Sequence, residues 1–344
     1  MDSGVTPPSG APGNDEGGSG APGSGAAGIG AGGSGAGGTG ASGIGAAGSG
    51  ATAPEDRPAR LAVGVIGAGR VGTALAQALA LAGHRVVAAT AVSEESRRRA
   101  EERLPGAELL TPHEVAASSD LILLTVPDDA LPELAAGLAA TDVPVAGKLV
   151  VHTSGRYGTA VLDPATRAGA LPLALHPVMT FTGRPDDLNR LAGISFGVTA
   201  PDPLRPVAEA LVLEMGGEPS WITEEQRPLY HAALAGGANH LVTMVVESMD
   251  LLRSAGVAEP GRMLGPLLGA ALDNALRLGI DGLTGPVARG DADTVAGHVA
   301  ELARVSPAGL RAYVALARLT ADRALGAGLL KPEDAERLLE VLAD

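Results

Sequence analysis

The chain has 344 residues, among them 50 Gly, one Trp, three Tyr, two Phe and no Cys, and a formal charge of −14. Without cysteine there are no disulfides, thiolate metal sites or cysteine nucleophiles, and no metal site is expected. The acidic balance gives no electrostatic grip on phosphate backbones or anionic lipid, so neither nucleic acid nor membrane is an expected partner.

Residues 1–57 are mostly Gly, Ala and Ser with scattered Pro, and twenty of the glycines lie in the first fifty positions. There is no strict three-residue period, so a collagen helix is not indicated. Such a segment has little to bury against its chain entropy and reads as a flexible tail. It also lacks a basic stretch followed by an apolar one, and no apolar run in the chain approaches the roughly 20 residues of a bilayer span. A soluble, cytoplasmic enzyme or ligand-binding protein is expected.

From Arg60 the texture changes. Leu61–Ile66 is a short apolar strand ending at Gly67, and Thr73–Ala82 has the small and apolar spacing of a helix packed on a sheet. His84–Val92 reads as a second strand and Glu94–Arg103 as a charged helix. Asp120–Val126 is a continuous apolar run, as in a parallel strand buried on both faces, and Pro127 stops it. Further strands are expected at Lys148–Thr153, Leu173–His176 and Gly193–Thr199. This alternation predicts an α/β fold with a doubly wound parallel sheet over 58–222. An all-helical domain is expected over 223–344, with helices at Glu224–Ala255, Gly261–Leu278, Asp291–Val305, Ser306–Leu325 and Pro332–Leu342.

Gly67-Ala68-Gly69-Arg70-Val71-Gly72 follows the first strand and opens a helix, the context that a G-x-G-x-x-G dinucleotide turn requires. Gly67 would allow the tight turn, Gly69 the approach of a pyrophosphate to bare amides, and Gly72 close helix–strand packing. About 20 residues on, an NAD site usually carries Asp or Glu against the ribose 2′-hydroxyl. Here the second strand runs out through Ala91-Val92-Ser93, with Ser93, Ser96, Arg97 and Arg98 within reach of a 2′-phosphate. NADP(H) is therefore expected over NAD(H), unless the arginine run is only a solvated helix face. Val126-Pro127-Asp128 either lines the ligand crevice at a strand's carboxyl end or simply ends the strand.

Four of the seven histidines fall where a reacting group could be held: His152, His176, His231 and His298. His152-Thr153-Ser154-Gly155 closes one strand beside the expected nicotinamide end, and His176-Pro177 closes another; each histidine is either functional or a strand cap. Ser154 and Gly155 could hold a substrate carboxylate. Tyr230, His231 and Asn239 are polar positions on an apolar helix; His231 and Asn239 lie roughly 80° apart around it and about 12 Å along it. Gly236 and Gly237 cost that helix roughly 1 kcal/mol each, so they mark close approach by a ligand or another backbone. Arg289 could bind an anion, or Asp291 could simply cap the following helix.

Taken in order, the glycine turn, V-P-D, H-T-S-G, H-P, a long helix with Y-H…N and a late T-G-P…R-G-D resemble the Rossmann-like/DUF2520 proteins. These belong to the wider superfamily of 6-phosphogluconate dehydrogenase, β-hydroxyacid dehydrogenase, pyrroline-5-carboxylate reductase and ketopantoate reductase. The resemblance implies an NADP(H)-dependent oxidoreductase that transfers hydride to a small carbonyl substrate, an anion such as 2-dehydropantoate. In β-hydroxyacid dehydrogenases a catalytic Lys stands four residues before an Asn on this helix; Asn239 matches the Asn, but Ala235 stands in the lysine's place. His231 is then the expected proton donor, with Asn239, Ser154 and His176 completing the catalytic set, and a homodimer through the helical domain is implied. The missing lysine keeps open a non-catalytic NADP(H) sensor or assembly protein, and imine or deazaflavin-linked reduction is a further alternative.

Overall fold

The short apolar runs that end at glycine or proline become strands of a single sheet in a computed structural model, which describes residues 60–140 and 144–343. The expected flexible tail lies outside the described residues. The strands are β1 (Ala62–Ile66), β2 (Arg85–Thr90), β3 (Glu108–Leu109), β4 (Leu121–Leu124), β5 (Leu149–His152), β6 (Leu171–Pro177), β7 (Ser195–Thr199) and β8 (Glu218–Trp221). Their spatial order is β3-β2-β1-β4-β5-β6-β7-β8. The chain leaves β1 toward one edge and crosses back to β4, so the crevice between the carboxyl ends of β1 and β4 is a topological switch point.

Helices α1 (Arg70–Leu81), α2 (Glu94–Arg103), α3 (Pro112–Ser118), α4 (Leu131–Ala140), α5 (Asp163–Arg167), α6 (Asp186–Asn189) and α7 (Arg205–Glu214) cover the sheet. Alternate strand residues feed two separate cores. Val63, Val65, Leu121 and Leu123 meet Leu75 and Leu79 of α1 and Leu211 of α7 on one face. Ile66, Ile122, Leu124 and Val150 meet Val115 of α3 and Leu131 and Leu138 of α4 on the other. Every residue of β1, β4 and β5 is buried, which is why these segments read as unbroken apolar runs. Each such Leu, Ile or Val contributes about 1.5–3 kcal/mol on leaving water.

The sheet departs from the expected all-parallel form at one edge. β1 to β6 are parallel to their neighbours, but β7 runs antiparallel to β6, and β8 is parallel to β7. The segment between β6 and β7 contains only the four-residue α6, too short to serve as a crossover helix spanning the sheet. The chain turns back instead. Two strands escape the sequence pattern: β3 is two exposed residues, and β8 carries Pro219, which an edge strand tolerates.

Beyond the sheet the chain is helical: α8 (Arg227–Ser254), α9 (Pro260–Leu278), α10 (Ala292–Val305), α11 (Pro307–Gly326) and α12 (Pro332–Val341). Pro228 sits in the first turn of α8, where its missing N–H has no intrahelical partner to lose. Helices α10, α11 and α12 share a small core around Val295, Ala321 and Leu338. By contrast, the only buried residue of α8 is Arg227 and the only one of α9 is Pro260. Val242, Met263, Leu267 and Leu276 are left exposed. No described helix is long and apolar enough to cross a membrane.

Candidate functional site

The turn from β1 into α1 is built so that side chains are impossible at two glycines and unopposed at the third. Gly67 has φ +101°, and a Cβ there would stand 2.8 Å from the Thr125 carbonyl oxygen. A Cβ on Gly72 would come within 2.5 Å of the Gly67 carbonyl oxygen, inside the strand–helix contact. At Gly69 the nearest atom to a Cβ would be that same oxygen at 3.9 Å, so its outer face is open. Thr90 of β2 secures the turn from beneath, its hydroxyl accepting the Gly67 N–H and its carbonyl the Ala68 N–H. The amide of Ala68 thus points into the sheet and away from any ligand.

Helix α1 has no side-chain cap and no acidic residue in its first turn. The amides of Arg70, Val71 and Gly72 have no acceptor within the helix and sit at the positive end of its dipole. This is the arrangement that binds a phosphate anion. Thr125 and Val126, at the exit of β4, press against Gly67, and the Thr125 hydroxyl donates to the Gly67 carbonyl at 2.6 Å. Val126, Pro127 and Asp128 therefore adjoin the turn.

At the end of β2 no carboxylate is present. Ser93 caps α2, its hydroxyl accepting the Ser96 N–H. Arg97 folds back so that its Nε donates to the Ala91 carbonyl at 3.4 Å, placing the guanidinium over the strand's exit. Arg98 is paired with Glu102 one turn on, and Arg99 with Glu95 one turn back. Arg97 thus lies over the strand's exit, while the Arg99 guanidinium lies beside Arg70 against Gly183. The loop after β6 comes to the same place: Asp187, fully buried, accepts the N–H groups of Thr182 and Gly183, and a Cβ on Gly183 would lie 3.1 Å from Arg70.

The second cluster lies where β5 and β6 end, beside the middle of β7, against the start of α8. Gly155 is wedged between two imidazoles: a Cβ there would be 2.8 Å from His231 and 2.9 Å from Nε2 of His176. The two rings meet edge to face with centroids 6.3 Å apart. Nδ1 of His176 is 2.8 Å from the Tyr230 hydroxyl, which itself rests over Gly197, where no Cβ would fit. Ser154 is buried, its hydroxyl oxygen accepting the N–H groups of Arg156 and Tyr157 while its own proton can still be donated.

Beneath them lies Arg227, fully buried and without a carboxylate in contact. Its guanidinium donates to the carbonyls of Ser154, Ala174 and Gly197 and to the Thr199 hydroxyl, tying the exit of β5 and the strands β6 and β7 to α8. Burial pushes His176 down to about 4, helped by the Arg227 and His231 charges and opposed by Asp128. The ring is neutral near pH 7.

Two expected site residues are placed differently by the structure. His152 is not a cofactor contact: it is fully buried, its Nε2 donates to the Gly158 carbonyl at 2.8 Å, and its Nδ1 accepts the Ser154 N–H. Burial pushes its pKa down to about 4. It shapes the Ser154–Gly158 loop from within. Asn239 does not join the histidines; it is exposed on α8 two turns beyond His231. Gly236 and Gly237 likewise face open space, with no part of the chain within 3.5 Å of a Cβ built on either. Asp291 is the N-cap of α10, accepting the Thr294 N–H, and His298 pairs with Tyr313. Ser154, His176 and His231 do come together, along with Arg227 and Tyr230, which were not in the expected set. The R-P-x-Y-H opening of an otherwise apolar helix, directly after an edge strand, was the available signal.

Comparison with known proteins follows the same division. Residues 47–177 match the Rossmann-like domain and residues 194–320 match the domain of unknown function DUF2520. No curated protein matches the chain. Among solved structures, BF3122 from Bacteroides fragilis, which carries a provisional NADP oxidoreductase assignment, is 26% identical with a TM-score of 0.65 and covers 76% of this chain and 98% of its own. A reductive aminase from Aspergillus terreus, solved with NADPH and ethyl levulinate, is 20% identical with a TM-score of 0.60 over 82% of this chain and 99% of its own. TM1727 from Thermotoga maritima is 22% identical with a TM-score of 0.58 over 77% and 99%.

Proposed function

We propose that this chain, a Rossmann-like domain joined to a DUF2520 domain, is an NADP(H)-dependent oxidoreductase that reduces a C=O or C=N carbon. The observation that carries the reading is the uncapped start of α1, with Gly69 open, on the same edge of the sheet as the His176–His231 cluster. The residues present fit the cofactor. The amides of Arg70, Val71 and Gly72 would hold the pyrophosphate, Val126–Asp128 would border it, and Arg97 with Ser93 would meet a 2′-phosphate at the end of β2, which itself carries no carboxylate. The provisional NADP oxidoreductase from Bacteroides and the NADPH-bound reductive aminase from Aspergillus support the same reading.

When bound, the nicotinamide supplies a hydride to the substrate carbon. The chain must orient the carbon, exclude water and bring a proton to the developing alkoxide or amine. His176, neutral because burial pulls its pKa to about 4, is a hydrogen-bonding group and not a proton source near pH 7. That leaves His231, half-buried on the other side of Gly155, as the proton donor. The Ser154 hydroxyl is the second donor available to position the substrate heteroatom. Asn239 would act only on a substrate or cofactor extending along α8.

Charge narrows the substrate class. Arg227 is committed to carbonyl groups, and Arg289 is exposed beside Asp291 and makes no bond to His176 or His231 among the described residues. Among the described residues no cationic side chain is hydrogen-bonded to His176 or His231, and the exposed Arg156 beside Gly155 rests over the Tyr157 ring. An uncharged carbonyl compound or an imine therefore fits these side chains better than a small 2-oxo acid such as 2-dehydropantoate. We further propose that a second copy of the chain covers the exposed apolar faces of α8 and α9, where Gly265 and Gly269 also face open space. The deciding experiment follows NADPH oxidation against uncharged ketones and aldehydes, cyclic imines and 2-oxo acids including 2-dehydropantoate. Saturable NADPH binding with no turnover on any class would instead favour the sensor.

A further inference from the structure

Three features at the end of β6 constrain the His176 ring beyond placing it. Its Nδ1 is 2.8 Å from the Tyr230 hydroxyl. The Tyr230 oxygen lies directly over Gly197, close enough that a Cβ would stand 2.2 Å away; burial raises the Tyr230 pKa, and the adjacent Gly197 backbone acts to lower it. Arg227 lies 5.7 Å from the phenol ring centroid and acts in the same direction. The opposite ring nitrogen, Nε2, faces Gly155, whose missing Cβ leaves it uncovered toward His231.

Neutral imidazole carries one proton, and the bond at one nitrogen decides which nitrogen holds it. Between a phenol and a neutral imidazole 2.8 Å apart, the phenol O–H is the stronger donor and the bare ring nitrogen the stronger acceptor, so the O–H is the group that donates. Nδ1, the basic nitrogen, accepts it. We propose that Tyr230 is a positioning residue: by donating to Nδ1 it holds His176 as the Nε2–H tautomer and so turns a neutral N–H donor toward the gap beside Gly155. This deepens the reductase reading and rests on it only for the use of the donor, which is to hydrogen-bond the carbonyl oxygen or imine nitrogen while His231 supplies the proton. Were Nδ1 protonated instead, Nε2 would be a bare acceptor and would repel that heteroatom's lone pair.

The charged and titratable groups around the ring are Arg227, Tyr230 and His231 on α8, His152 on β5 and Asp128 after β4. None of them is an acceptor bonded to Nδ1, so loss of the Tyr230 hydroxyl leaves that nitrogen without its hydrogen-bond partner.

The test reads the tautomer directly, without cofactor or substrate. The full chain is labelled with 15N-histidine, and long-range proton–nitrogen correlations are recorded at pH 7.5 for the wild type and for Tyr230→Phe. His176→Asn identifies the signal by its disappearance. The expected wild-type pattern is protonated Nε2 and unprotonated Nδ1, replaced by a tautomer mixture in Tyr230→Phe, whose circular dichroism and melting temperature show it folded. A protonated Nδ1 in the wild type, or an unchanged pure tautomer in Tyr230→Phe, overturns the proposal. With a turned-over substrate in hand, Tyr230→Phe should lower kcat about tenfold and leave the NADPH Kd within about twofold. A clean tautomer result in a protein that reduces nothing would defeat the reductase reading and leave the Tyr230–His176 assignment standing.

Discussion

Replacing Gly69 by Ala separates folding from binding at the glycine turn. Gly69 has φ −78° and ψ −157°, an extended conformation that alanine adopts without strain. A Cβ there approaches nothing closer than the Gly67 carbonyl oxygen at 3.9 Å, an ordinary contact. Folding stability should therefore change by about 0.5 kcal/mol or less, about 2 °C in Tm. The new methyl would, however, occupy the space through which a pyrophosphate reaches the amides of Arg70 and Val71. Losing two charge-assisted hydrogen bonds of about 1.5 kcal/mol each weakens binding by about 3 kcal/mol, or roughly a hundredfold in Kd. Calorimetric titration with NADPH, alongside a thermal melt, measures both. Gly72→Ala is the control: its Cβ would meet backbone at 2.5 Å, so it should lose about 1–3 kcal/mol of stability as well as affinity. A folded Gly69→Ala protein with wild-type NADPH affinity would show that the diphosphate does not lie on this turn.

Four further outcomes are expected. Arg97→Glu should weaken NADPH about tenfold or more while leaving NADH nearly unchanged, because only NADPH has a 2′-phosphate for the new carboxylate to repel; parallel titrations decide it. His231→Gln should lower turnover at least about a hundredfold with NADPH affinity nearly intact, and an unaffected rate removes it as proton donor. His152 and His176 have folded pKa values of about 4, below the ordinary histidine value near 6.5, so between these limits the unfolded chain binds the extra protons. Stability should accordingly be flat above about pH 7 and fall as pH drops from about 6.5 toward 4, by a few kcal/mol in all; urea melts at pH 5 and 8 test this, and His176→Asn should reduce the slope. Sedimentation should give twice the chain mass, falling toward the monomer in Leu267→Asp with Leu276→Asp; a monomeric wild type refutes the proposed second copy.

The sheet was legible where burial is two-sided. β1, β4 and β5 are fully buried, so their sequences carry no polar alternation and stand out as runs such as Leu121–Leu124. β3 and β8 were not, because an exposed two-residue strand and a strand containing Pro219 are stabilised only by a neighbour already in place. The glycine turn was legible because its requirements are local: Gly67, Gly69 and Gly72 act within six residues of one another. The histidine cluster was only half legible. His176 and His231 stood out as polar groups in apolar surroundings, but His152 stood out equally and proved to be a buried loop brace.

Local pattern thus settled what each segment becomes: which runs are strands, where the phosphate-binding turn lies, and that helices alone follow Trp221. Direction and partnership were decided in three dimensions, because they depend on groups far apart in the chain that meet only after it has folded. The reversal of β7 depends on its pairing with β6, and the neutrality of His176 depends on burial and on an arginine 51 residues later, in its final place beneath the ring.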